Sequence, residues 1–547
     1  MRDEMINQLI KKKFATKFAS LILLATLGTA WPASHADERD SLEQLKATTT
    51  NLIELLVQEG VLNKDKADAI VKKATEEAVK QVKQAKAKEA TQTNTSQDNI
   101  PTDDKTVRVQ YVPEHIKKEM RAQIEKNVME TLNYKVGERL ELPSWLNRIA
   151  FNGDMRLRYQ NDSFGNNNAP IAALNNPERN LNILNSSEER RRLRLRARLG
   201  VDLKINDWLT GGLRFTTGLL NTPVTPNQTE GIAQGKFIFG LDAAFLRAKP
   251  VNWAMIEGGR FANPFFHTDL IWDPDLAFDG VAASFTPKLN DKFTSFTTIG
   301  AFPIEEIQSS EVNKATDKWL YALQTGIQWN LGNKSTAKLG VAYYDYNNVE
   351  GQTSPLGTTL FDATAPVWRQ KGNNTFVVNR LNAPPLGSEV FGLASQFELI
   401  NVTGQIDLLT FDPVHVTLTG DYVKNIGFNA DDNFKRAGVR NKEETKGYQV
   451  LLNVGHNTFQ APATTMVKRH DWRAMIGYKY IEADAVLDGF TDSNFHLGGT
   501  DAKGWLLAGE YGIDKNAWVS ARYFSTDTIS GLPLSIDVLL LDFIAKF

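Results

Sequence analysis

An all-β transmembrane barrel of about 16 antiparallel strands, with an α-helical extension at its N-terminus, is the fold that this 547-residue sequence predicts. Three observations favour it. From Ile149 onward, segments alternate apolar and polar residues; the connections between them are alternately short and long; and an amphipathic last strand ends in Phe547. No apolar run reaches the roughly 20 residues that a membrane-spanning helix needs. Alternating strands need no such run, because their apolar and polar residues face opposite sides of the sheet.

Composition and motifs exclude several classes of function. The 62 Lys and Arg residues balance 64 Asp and Glu residues, so the net charge of -2 does not indicate nucleic-acid binding. The absence of cysteine excludes disulfides, thiolate metal sites and cysteine nucleophiles. No G-x-S-x-G, P-loop or H-E-x-x-H motif is present, and no pair of histidines has ligand spacing. We therefore expect no enzyme activity, no cofactor and no metal.

Residues 1–36 are typical of a secretory signal. A lysine cluster precedes an apolar core of about 13 residues, from Phe18 to Ala30, which is too short to span a bilayer. Ser34-His35-Ala36 fits a small-residue cleavage site, with Ala30 as the second choice. The pattern predicts that the mature protein is exported.

Residues 37–147 predict a helical extension in two parts. In residues 37–107, apolar positions at steps of three and four indicate a helical hairpin, or a short coiled coil if several chains meet, and a polar linker follows. In residues 108–147, Pro113 opens a further helical segment that ends at Pro143 and leads into the barrel. By strand order this extension should lie in the periplasm, where it could contact the cell wall.

Residues 148–547 predict the barrel. From Arg192 to Ile205, aliphatic residues alternate with arginines and other polar residues, and this strand alone favours a soluble sheet with one wet face. Later connections reverse that preference, because short turns on one rim and long loops on the other are typical of membrane barrels. The short links lie near 249–252, 289–291, 332–334 and 512–514, and the long loops near 346–395, 426–446 and 482–502.

The C-terminal strand favours the bacterial outer membrane and its lipid. Ala545, Phe543, Leu541 and Leu539 share one face, and the chain ends in Phe547. A terminal phenylalanine on an amphipathic strand resembles the last strand of bacterial outer-membrane barrels.

Three segments carry a resemblance to a family of bacterial putative porins. They are Gly259–Phe265 with Trp272–Leu276 and Gly280–Ala282, then Glu482–Val486 with Asp492–Phe495 and Gly498–Thr500, and finally Glu54–Leu62 with Val112–Glu114. The resemblance implies an outer-membrane channel for small solutes and, by analogy with porins, a homotrimer. Asn494 stands where the family pattern leads us to expect Asp.

Arginines on neighbouring strands are the candidate pore-lining residues. If they face the lumen, their charges attract anions, since Arg stays protonated at any relevant pH. The alternative is a solvated strand face without selectivity. The candidates are Arg156, Arg158, Arg192, Arg194, Arg196, Arg198, Arg214 and Arg260.

The loop after the fifth strand supplies the candidate constriction. It carries His267, Asp269, Asp273, Asp275 and Asp279. In general porins, which this architecture resembles, the third external loop folds inward, so Asp269, Asp273 and Asp275 would face the arginines across a gap. Two alternatives stay open: a structural turn built by Asp and Pro, and a divalent-cation site.

A passive channel for small hydrophilic solutes, expected to prefer anions, is therefore the function that the sequence favours. An outer-membrane enzyme would need a convergent acid and base in the loops, and the sequence shows none. A structural or adhesion protein, tethered to the cell wall through its N-terminal helices, is the other alternative.

Overall fold

The computed structural model describes residues 144–175, 181, 183–380, 388–456 and 468–547. The predicted signal segment and the helices predicted within residues 37–143 lie outside these residues. None of the helices in the described ranges has the length and apolar character needed to cross a bilayer.

Sixteen long strands form the wall of the described structure, and the 3-10 helix Ser144–Arg148 leads into the first. In chain order they are β1 Ile149–Phe164, β2 Arg190–Lys204, β3 Leu209–Thr217, β4 Phe239–Val251, β5 Ala254–Ala262, β6 Ala277–Phe285, β7 Phe293–Glu305, β8 Lys318–Gly332, β9 Ser335–Asn347, β10 Phe397–Phe411, β11 Val414–Asn425, β12 Lys446–Gly455, β13 Trp472–Ile481, β14 Ala502–Asp514, β15 Ala517–Thr528 and β16 Ser535–Lys546.

Each strand pairs antiparallel with the next, and β16 pairs with β1, which closes the barrel. The last residue completes this seam, because the backbone N–H and C=O of Phe547 both bond to Gly153 at 3.1 Å. A Cβ at Gly153 would lie 2.5 Å from the Phe547 ring, so glycine makes room for that ring. The prediction of about 16 antiparallel strands in a barrel is confirmed.

Alternation decides which side chains face outward. On β8, Tyr321, Leu323 and Trp329 are exposed, whereas the intervening Ala322 and Gln324 are buried inside the barrel. Exposed aromatic residues also stand at the strand ends, as at Trp208 and Trp253 on the short-turn rim. An apolar outer band with aromatic residues near its edges is the surface that a bilayer requires.

The connections are sorted by length between the two rims, with two exceptions. We number the loops of the long-loop rim L1 to L8; they span 165–189, 218–238, 263–276, 306–317, 348–396, 426–445, 482–501 and 529–534. The opposite rim carries short turns, such as 333–334 and 412–413. The exceptions are 456–471, which is long on the short-turn rim, and L8, which is short.

Several loops hold short elements of their own. L2 contains the two-residue strand Gln228–Thr229, and L5 contains the paired strands Thr375–Val377 and Phe391–Leu393. The short helices are Ile171–Leu174 in L1, Asp362–Thr364 in L5, Ala430–Ala437 in L6, and Asp488–Phe490 and Phe495–Leu497 in L7.

L3 folds into the barrel and builds an apolar core there. Trp272 is fully buried, with its ring centroid 5.0 Å from that of Phe278 and 5.4 Å from that of Tyr344. Phe265 packs edge-on against Phe302 and Tyr344. These contacts hold the loop against the inner faces of β6, β7 and β9, so aromatic packing fixes its course through the interior.

Candidate functional site

Six arginines lie together on the inner faces of β1 and β2. Arg156 pairs in register with Arg196, and Arg158 with Arg194, while the alternating Met155 and Leu157 are exposed on the outside. We call the six the basic wall: Arg156, Arg158, Arg192, Arg194, Arg196 and Arg198. The structure thus brings together six of the eight arginines that the sequence singled out.

Aspartates on neighbouring strands neutralise part of this charge. Asp154 accepts from Arg196 and from Arg198, with closest N···O distances of 2.6 Å for each. Asp542 on β16 accepts two bonds from Arg158, at 2.7 and 2.9 Å. These pairs are almost fully buried, a setting in which removing one partner is costly even though the pair itself adds little net stability.

Two further ion pairs belong to the same cluster. Asp162 lies 2.9 Å from Arg192, and Arg522 on β15 lies 3.4 Å from Asp542. When Arg522 is counted with the basic wall and Asp275 of L3 with the acceptors, seven arginines stand against four aspartates. Among the groups in these contacts, positive charges therefore outnumber negative ones.

Asp275 brings L3 into direct contact with the basic wall. Its Oδ1 lies 3.2 Å from Arg198 Nη1 and 3.5 Å from Arg196 Nη1. Burial opposes ionisation, but these two guanidinium groups hold the pKa of Asp275 below its ordinary value. Asp275 therefore forms ion pairs with the arginines that the sequence analysis expected it to face.

Asp269 and Asp273 do not contact the basic wall. Asp269 accepts from Gln449 Nε2 at 2.6 Å and lies 3.4 Å from Lys479 Nζ, on β12 and β13. Asp273 accepts the backbone N–H groups of Asp275 at 2.8 Å and Ser493 at 2.9 Å. Asp273 thus orders the backbone of L3 and ties it to L7.

The surroundings of Asp273 favour its neutral form. Burial, together with the nearby Asp275 and Asp492, raises the pKa of Asp273 well above its usual range. In the described part of the chain, no group of three or more carboxylate or imidazole side chains is arranged to hold a metal ion.

The remaining predicted residues form local pairs. Arg214 pairs with Asp242 at 2.6 Å, and Arg260 with Asp279 at 2.8 Å. His267 is partly buried beside the carbonyl oxygen of Thr268, and its removal from solvent lowers the pKa of its ring. Across the described ranges, neither Arg214 nor Arg260 forms an ion pair with the aspartates that contact the basic wall.

A clasp between L5 and L7 is a feature that sequence reasoning missed. Asp484, within one of the family-like segments, accepts from the backbone N–H of Asn374 at 3.0 Å and from its side chain at 2.8 Å. Lys371 donates to the carbonyl oxygens of His496 and of Gly498, the latter at 2.6 Å. Burial lowers the pKa of Lys371 to about 7.

A glycine in the same family-like segment allows L5 and L7 to approach closely. Gly499 has φ +94°, and a Cβ there would lie 1.9 Å from the carbonyl oxygen of Lys371. The two loops can therefore approach this closely only if position 499 has no side chain. Repeated glycines near an acidic residue were the available signal in the sequence, but they do not identify the loop that L7 contacts.

Asn494, the residue at which Asp was expected, touches the basic wall. Its Oδ1 accepts from Arg158 Nη1 at 3.0 Å, and its Nδ2 donates to Asp492 at 2.8 Å. L7 thus meets the arginines through a neutral amide.

Comparison with known proteins gives one family and a set of barrels. A family model described as "Putative porin" matches residues 46–547. No curated protein matches the chain. Similar solved structures include a high-pH structure of Pseudomonas putida OprB, which shares 14% identity, covers 75% of this chain and 96% of its own, and has a TM-score of 0.43.

Two further structures are similar at lower scores. A loop-L8 deletion mutant of OmpT, an outer membrane protein of Vibrio cholerae, shares 13% identity over 73% of this chain and 99% of its own, with a TM-score of 0.38. The outer membrane channel DcaP of Acinetobacter baumannii shares 11% identity over 73% of this chain and 97% of its own, with a TM-score of 0.37.

Proposed function

Because the chain belongs to the putative porin family, and an outer-membrane channel is what this family and the closed barrel support, we propose passive diffusion of small hydrophilic solutes with a preference for anions. The observation that carries the preference is the charge excess at the basic wall, where seven arginines, Arg522 included, stand against four aspartates.

The physical argument concerns the field inside the barrel. Guanidinium groups stay charged at any relevant pH, so this field does not titrate. The protein wall has a low dielectric constant and concentrates the field in the aqueous space beside it, which raises the local concentration of anions. At about 0.1 M salt the screening length is roughly 10 Å, so the preference should weaken as salt rises.

L3 is proposed to narrow the pore. Its passage through the interior, from the aromatic core to Asp275 on the basic wall, supports a constriction bordered by these residues. Asp269 and Asp273 would fix the course of the loop through their bonds to Gln449 and to the backbone N–H of Ser493.

The remaining proposals concern the ends of the barrel and its assembly. We place residues 37–147 in the periplasm, after removal of residues 1–36, because β1 begins on the short-turn rim. A homotrimer with cell-wall contacts through this extension follows from the analogy with porins and from the predicted coiled coil.

Solute entry into proteoliposomes tests the proposal. Vesicles that contain the purified protein should admit a small uncharged sugar and should admit a small organic anion faster than a cation of the same size. Protein-free vesicles are the control. Vesicles that stay impermeable to all three solutes would contradict a diffusion channel, and equal rates for the two ions would contradict the preference.

A further inference from the structure

Part of L2 belongs to the wall of the barrel rather than to its rim. β3 pairs with β2 only from Arg198 to Lys204. Nearer the long-loop rim, at Arg194 and Leu195, β2 pairs with Gln228–Thr229 instead. The backbone N–H of Glu230 continues this pairing, with a 2.9 Å bond to the carbonyl oxygen of Leu193. Asn227, which precedes this short strand, is buried inside. The backbone around Asn227 is therefore held in a defined position.

Asn227 contacts two arginines of the basic wall at once. Its side-chain Oδ1 accepts from Arg156 Nη2, and its backbone carbonyl oxygen accepts from Arg194 Nη2 at 3.2 Å. Thr225 Oγ1 receives the Asn227 side-chain Nδ2 at 3.1 Å and fixes the orientation of the amide. One residue of L2 thus connects the inner faces of β1 and β2.

Arg156 and Arg194 differ from their neighbours in their acceptors. The other four arginines of the basic wall each form an ion pair with an aspartate. In the part of the chain that the structure describes, Arg156 and Arg194 form none. Asn227 accepts from both, and Arg194 also donates to Gln160 Oε1 at 3.0 Å and to Thr225. The Nε atoms of both arginines are buried without an acceptor. Their direct hydrogen-bond acceptors are therefore amide and hydroxyl oxygens, while carboxylates such as Asp275 and Asp542 for Arg156, and Asp162 for Arg194, act on them without direct contact.

The acceptor at position 227 could carry a charge without a change of shape. Asp has the same outline as Asn, and its carboxylate would accept the bond that Arg156 now gives to the amide oxygen. The Thr225 hydroxyl can reverse its role and donate to that carboxylate. Asp at this position would add one negative charge beside the lumen, and Asn adds none.

We propose that Asn227 helps to set the charge preference of the channel. It holds Arg156 and Arg194 in place without an ion-pair partner, and this pair adds to the positive charge that concentrates small anions. The inference rests on the proposed channel function and deepens it. It adds a position in L2 to those in L3, the loop to which the resemblance to general porins pointed.

Asn227→Asp tests this directly. A unit charge about 6 Å from an ion's path, in a medium as polarisable as water, changes the local concentration of each ion about threefold and the anion-to-cation ratio about tenfold. We expect the permeability ratio, measured from reversal potentials across a KCl gradient in planar bilayers, to fall by that factor toward cations. Asn290→Asp is the matched control, since it adds the same charge at an exposed turn on the opposite rim.

The outcomes separate the role of Asn227 from the channel function. If the wild type conducts and Asn227→Asp keeps its permeability ratio, the role of Asn227 is refuted while the channel stands. If the wild type does not conduct, the channel itself is refuted. If Asn227→Asp does not assemble, Arg156→Gln decides, because it removes one of the two charges that lack an ion-pair partner. A ratio shifted toward cations supports the inference, and an unchanged ratio overturns it.

Discussion

Asp275→Asn should make the channel more selective for anions. The substitution keeps the shape of the side chain and removes the one carboxylate of L3 that contacts the basic wall, at 3.2 Å from Arg198 and 3.5 Å from Arg196. Because the lowered pKa keeps Asp275 ionised at neutral pH, the change removes a full negative charge. Among the described residues, Asp154, Asp162 and Asp542 would remain as the aspartates that form ion pairs with these arginines.

The expected magnitude follows from Coulomb's law, as it does for Asn227→Asp. One unit of charge beside the ion path changes the anion-to-cation permeability ratio by about tenfold at low salt, here in favour of anions. The fold should survive, since Arg196 and Arg198 keep Asp154 as a partner at 2.6 Å. The cost to the free energy of unfolding should therefore stay below the roughly 3–5 kcal/mol of leaving a buried charge without a partner.

Reversal potentials in planar bilayers measure the effect, with Asp273→Asn as the control. Asp273 lies in the same loop, but its partners are backbone N–H groups and its pKa is raised, so less charge is lost on substitution. A ratio that stays unchanged in Asp275→Asn, or that moves toward cations, would show that Asp275 does not act through its charge. An equal shift in both variants would mean that a disturbed loop, and not the lost charge, is responsible.

Three other predictions concern the wall, the seam and the extension. Replacing Arg194, Arg196 and Arg198 together by Gln should move the reversal potential toward cations; wild-type selectivity would mean that these arginines are only a solvated wall. Deleting Phe547 should impair assembly, because its two backbone bonds at the seam are lost, and heat-modifiability on gels should fall; a variant that shifts on heating like the wild type would contradict this. Removing residues 37–107 should leave a barrel that refolds in detergent, as circular dichroism can show, and a truncated chain that cannot refold would contradict the domain division.

The wall of the barrel was predictable because strands obey a simple period. Alternation along β2 separates Leu193 and Leu195 from Arg194 and Arg196, and the bilayer outside makes any other orientation costly. The role of Phe547 in the last strand and the alternation of short and long connections could likewise be predicted from the local sequence. These features depend on neighbours in the sequence.

The interior loops were less predictable because their partners are distant in the chain. The three candidate aspartates of L3 contact different parts of the barrel. Asp269 contacts β12 and β13, Asp273 contacts L7, and Asp275 contacts the basic wall. No periodicity distinguishes them, since each destination depends on the course of the whole loop. For the same reason Asn227 gave no signal in the sequence, although it joins two arginines that the sequence had singled out.

Whether the pore prefers anions can be decided on the wild-type channel alone, from its reversal potential across a tenfold KCl gradient. An excess of fixed positive charge in the lumen predicts a potential of the sign set by chloride, which should decline as the mean salt concentration rises. A potential of the sign set by potassium would contradict an anion-preferring pore.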